Sequence, residues 1–67
     1  MAVGTVKWFN DAKGFGIIVS KDGAEIFVHY TAIRGEGHRT LSQGQEVMFD
    51  LYEGKKGPLA KNVAIAL

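Results

Sequence analysis

The feature that most constrains this chain is its punctuation. Short apolar runs follow one another, separated by glycine-containing turns, and no stretch keeps a helical period over three turns. VGTVKWFN (3–10) reads as a first strand, ended by DAKG. FGIIVS (15–20) reads as a second, and KDG (21–23) predicts a tight hairpin because Gly23 tolerates positive φ. EIFVHY (25–30), EVMFDLY (46–52) and LAKNVAIAL (59–67) read as three more. Between the third and fourth, TAIRGEGHRTLSQGQ (31–45) lacks alternation and holds three glycines. It is expected to be a long loop with a short helical turn at TAI. Loops of that length in compact domains are more often functional than idle.

Five strands in 67 residues leave exposed edges if they end as an open sheet, and closure into a small barrel removes those edges. A meander of three strands, a long connection and two more strands suits an all-β, five-stranded antiparallel OB-fold barrel. Strand count alone leaves an SH3-like barrel open. The length predicts one domain, 1–67, close to the lower size limit for a core without staples. There is no cysteine, so neither a disulfide nor a thiolate metal site supplements that core, and 46% of residues are hydrophobic.

MAVGTVKWF lacks the charged and apolar regions of a signal peptide, and no apolar run approaches a membrane span. A cytoplasmic protein without membrane contact is expected. Net charge is only +1, so binding to a polyanion would depend on where the charges are placed rather than on bulk basicity.

Strand alternation puts Phe15, Ile17 and Val19 on one face of the second strand, with Phe27 and His29 on the matching face of the third. One barrel has one interior. Val6, Ile18, Ile26, Val28, Val47, Val63 and Ile65 are predicted to fill it, with Ile33 and Phe49 sealing an end. Phe15, Ile17, Phe27 and His29 then point outward, and a bulge near Trp8 and Phe9 would bring Trp8 among them. Pattern alone also permits the reverse arrangement, aromatics inside and aliphatics around them. Lys7 and Lys13, interleaved with the rings, argue against it, because a buried cluster avoids unpaired charge. Exposed rings flanked by ammonium groups suit unpaired nucleic acid: bases stack on the rings and cations follow the phosphates.

KGFGII (13–18) resembles the first ribonucleoprotein motif of the bacterial cold-shock proteins, and IFVHY (26–30) resembles the second. VKWFN, GEG, RTL, SQGQEV, KGP and NV, spread from Gly4 to Val63, fit the same family. The resemblance implies an OB barrel that binds single-stranded RNA and single-stranded DNA with low sequence specificity. It also implies an RNA chaperone that needs no ATP and affects transcription or translation. Its contact surface would be Lys7, Trp8, Asn10, Lys13, Phe15, Ile17, Phe27, His29, Tyr30 and His38, with Arg39 and Lys56 as flanking cations. Phe9 would be shared between core and rim.

Two positions depart from the family pattern. Ile17 stands where an aromatic is usual and offers no π-face, and His38 replaces the usual aromatic of the long loop. Val19, Met48, Leu51, Tyr52, Leu59 and Ile65 add apolar character. They read as ordinary scattered surface hydrophobes or, on a sharper reading, as a surface for a homodimer. An OB-fold protein-interaction module is the alternative function. No enzyme, cofactor or metal is expected: His29 and His38 have no nucleophile or paired carboxylates recurring beside them, and GFG lacks the Lys-Ser/Thr of a phosphate loop.

Overall fold

The computed structural model describes residues 2–34, 40–55 and 57–66. Five strands, β1 (Ala2–Asn10), β2 (Phe15–Ser20), β3 (Glu25–His29), β4 (Glu46–Gly54) and β5 (Gly57–Ile65), close into a barrel in the order β1-β2-β3-β5-β4. The described residues contain no α-helix; a 3-10 turn at Tyr30–Ala32 follows β3. Four of the five strand pairings are antiparallel, and the one between β3 and β5 is parallel. That parallel pairing follows from the long connection, which returns the chain to β3 only after β4 has been laid beside β1.

The interior is aliphatic. Val6, Ile18, Ile26, Val28, Val47, Val63 and Phe49 are almost wholly buried, and Ile33 joins them through an isolated bridge to Val63. Leu41 and Ala60 complete the core, so part of the long loop folds back onto it. Ile65, expected inside, is instead 46% exposed. It is the last residue of β5 and pairs with Val47 near the start of β4, so it sits at the barrel rim with core on one side and solvent on the other.

Two bulges set which side chains face in. On β1, Val6 pairs with Ile18 and Trp8 with Ile17, so Lys7 is an extra residue. On β5, Asn62 and Val63 together oppose Phe49, and Asn62 takes a φ of 53°. This second bulge lets Ala60 and Val63, three residues apart, both point inward. The hairpin at KDG forms as expected, with Gly23 at φ 89° and its N–H donating to the Ser20 carbonyl.

Candidate nucleic-acid interface

The outer face of β1–β3 carries two cross-strand rows. The first is Trp8, Ile17 and Phe27; the second is Asn10, Phe15 and His29. The inner neighbours of these residues on β2 and β3 (Gly16, Ile18, Ile26 and Val28) are all buried, so alternation turns the rows outward. Trp8 and Phe27 are each 40% exposed. Phe15 links them, with its ring edge-on to Trp8 at 5.9 Å and stacked on Phe27 at 5.8 Å. Ile17 lies between Trp8 and Phe27 in the first row, partly buried, with Phe15 closing the ring contacts around it.

The bulge at Lys7 is what brings Trp8 into this face. Without the extra residue Trp8 would share the inward parity of Val6. The frame shift instead turns Phe9 inward, where it packs partly against the core. Gly16 makes room for that packing: a Cβ there would lie 2.7 Å from Phe9 Cδ1 and 2.3 Å from the Trp8 carbonyl oxygen.

Tyr30 reaches the surface by a different route. Strand alternation would set it on the inner side with Ile26 and Val28. β3 ends at His29, however, and the 3-10 turn re-aims Tyr30, leaving it 44% exposed. Its N–H donates to the Gly14 carbonyl at 2.8 Å. Its ring lies over Gly14, which holds φ 78° and has no space for a Cβ. The His29 ring is 4.6 Å from that of Tyr30. His29 Nδ1 accepts the Thr31 N–H at 3.3 Å and lies 2.9 Å from Thr31 Oγ1. That acceptor role places the proton of the neutral ring on Nε2.

The cations stand at the margin. Lys7 pairs with Glu25, and both groups are about half exposed. Such a surface pair is worth roughly 0–1 kcal/mol, too little to hold Lys7 back from a phosphate. Lys13 is exposed in the β1–β2 turn, and its N–H donates to Asn10 Oδ1 at 3.0 Å. Asn10 therefore braces the turn that carries Lys13, a role its identity in the sequence did not reveal. Thr40 donates to Asp11 and ties the end of the long loop to the same turn. The structure thus gathers Lys7, Trp8, Asn10, Lys13, Phe15, Ile17, Phe27, His29 and Tyr30 onto one side of the barrel. His38, Arg39 and Lys56 lie outside the described residues. No cluster of three or more His, Asp or Glu side chains that would hold a metal ion occurs among the described residues.

Comparison with known proteins gives this face a family context. Residues 2–66 match the family model described as the "Cold-shock" DNA-binding domain. The chain is 54% identical over 63 residues to cold shock protein CspB of Bacillus caldolyticus, covering 94% of this chain and 96% of that one. Identity and coverage are the same for cold shock protein CspD of Bacillus subtilis strain 168. The major cold shock protein of Streptococcus pyogenes serotype M18 is 52% identical over 63 residues, 94% of each chain. With its closed five-stranded barrel and outward rings, the chain belongs to the cold-shock domain family of nucleic-acid-binding proteins.

Proposed function

We propose that this protein binds single-stranded RNA and single-stranded DNA with little sequence preference and opens weak RNA structure without ATP. The observation that carries this reading is the contact series Trp8–Phe15–Phe27 on three adjacent strands, with Trp8 and Phe27 exposed and Phe15 partly buried between them. A base exposes a π-face whatever its identity, and each stacked base contributes ~1–3 kcal/mol. A duplex conceals those faces, so the surface selects unpaired strands.

In the mechanism, bases of a splayed strand stack on Trp8, Phe15, Phe27, His29 and Tyr30, while Ile17 packs against a base edge. Asn10 holds the turn bearing Lys13. Lys7 and Lys13 follow the phosphates, joined by Arg39 and Lys56, with His38 as a further stacking group from the long loop. Binding only the open form shifts a hairpin toward that form by mass action. This activity fits a cytoplasmic protein that acts on transcripts during stress and thereby alters transcription or translation.

A hairpin RNA carrying a fluorophore and quencher at its ends tests the chaperone step. Saturating protein should raise fluorescence without ATP. A hairpin that stays closed at saturation contradicts the chaperone step and leaves simple binding standing. The protein-interaction reading is favoured only if a peptide or protein occupies the ring face and oligonucleotides fail to displace it.

A further inference from the structure

The first cross-strand row does not stop at Phe27. Phe27 pairs with Leu59 on β5, and Leu59 pairs with Tyr52 on β4. Ala60 beside Leu59 is fully buried, so alternation turns Leu59 outward, to the side of Phe27. Tyr52 is 51% exposed, and Lys61 Nζ lies over its ring, 4.3 Å from the centroid. Between Phe27 and the β4–β5 hairpin lies an open recess of about 490 Å³, lined by Phe27, Gly54, Lys55, Gly57, Pro58 and Leu59.

We infer that a bound strand continues past β3 onto this second face, with a base in the recess beside Phe27, Tyr52 as a further stacking ring, and Lys55 and Lys61 as phosphate cations. The inference rests on the binding function proposed above and extends its footprint. The occupant follows from continuity: Trp8, Ile17, Phe27, Leu59 and Tyr52 form one unbroken row around the barrel. Charge points the same way. Among the described residues, the one ion pair joining two of them is Lys7–Glu25, so Lys55 and Lys61 are not held by carboxylates there. Asp50 pairs with Lys61 across the strands, but its Oδ2 accepts from Asn62 Nδ2 at 2.9 Å. Glu53 alternates to the other side of β4 from Tyr52.

An ammonium over an exposed ring is bound more weakly than a stacked base. A base therefore displaces Lys61 from Tyr52, and the flexible lysine stem carries the charge to the adjoining phosphate. Two strand spacings, about 10 Å, separate Phe27 from Tyr52, enough for roughly one or two more nucleotides.

The test is a length series of oligothymidines, from about four to about ten nucleotides, titrated into the wild type, Tyr52→Thr and Lys61→Gln. Threonine keeps strand propensity while removing the ring, and thermal unfolding checks that each variant folds. Wild-type affinity should keep rising for one or two nucleotides beyond the length at which Tyr52→Thr levels off. The longest oligomer should bind Tyr52→Thr about tenfold more weakly, and the shortest should bind all three proteins equally. Lys61→Gln should lower the salt slope by about 0.7 for the longest oligomer only. Coincident length profiles for wild type and Tyr52→Thr, with strong binding in both, overturn the extension and leave the β1–β3 site intact. So does a concentration-dependent dimer abolished by Tyr52→Thr while the length profile stays unchanged. No binding at any length overturns the function and the extension together.

Discussion

β2 and β3 each present two faces built from alternating residues, and the two faces differ in kind. Inward stand Ile18, Ile26 and Val28, branched aliphatics at 2% exposure or less. Outward stand Phe15, Ile17, Phe27 and His29, mostly aromatic, with Phe27 exposed and the other three partly buried. Hydrophobic burial alone would favour the opposite assignment, since a buried phenylalanine removes more apolar surface from water than a valine does. The aliphatics close a narrow barrel, while the rings on its outer wall remain available to something flat. On the proposed function, stability and binding fall mainly to opposite faces of the same strands, and substitutions should separate them.

The largest effect is expected inside. Phe49→Ala empties a wholly buried position opposite the β5 bulge and should cost about 3–5 kcal/mol of stability, enough to unfold much of a domain this small. Urea denaturation measures the loss. A smaller loss would mean the barrel collapses around the gap.

A smaller effect, of opposite sign and on the other face, is expected at Ile17. Ile17→Phe places a ring between Trp8 and Phe27 and should tighten oligothymidine binding by about 1 kcal/mol or more, while thermal stability changes little. Unchanged binding would mean that Phe15 already occupies the stacking space above Ile17.

The smallest effect belongs to neither face. In the β2–β3 turn, the Ser20 hydroxyl and then the Ala24 N–H donate to the Asp22 carboxylate, lowering its pKa below the ordinary 3.8. A carboxyl lowered on folding stabilises above its unfolded value, and that contribution is lost as pH falls through the folded value. The thermal midpoints of wild type and Asp22→Asn should therefore differ slightly at neutral pH and converge below about pH 3.8. A gap that persists at lower pH would assign the difference to the turn's shape rather than its charge.

Alternation was enough to predict the outward course of Phe15, Phe27 and His29, because a period of two fixes the face once the core is chosen. Trp8 needed a bulge, which the sequence could only suggest. Tyr30 needed a 3-10 turn that breaks the alternation. Leu41 carries no local signal for burial, since it is a single apolar residue in a polar loop. Ile65 looked like core because the pattern does not mark where a strand leaves the barrel. The Phe27–Leu59–Tyr52 continuation was the least legible part. It depends on the parallel pairing of β3 with β5, a long-range closure that no run of neighbouring residues records.

On this reading, the outward rings of β1–β3 bind unpaired bases and contribute less to the fold than the inward aliphatics do. Trp8 is the chain's sole tryptophan and lies in that face, so its fluorescence reports contact directly. The decisive measurement is its quenching by a short oligothymidine at low and high salt, in the wild type and in Phe27→Ala, beside the thermal midpoint of each. Strong, salt-sensitive quenching in the wild type is expected, with binding weakened by ~1–3 kcal/mol in Phe27→Ala and a midpoint that falls far less than in Phe49→Ala. Equal binding by both proteins, or a midpoint that falls as far as in Phe49→Ala, would contradict the division between the two faces.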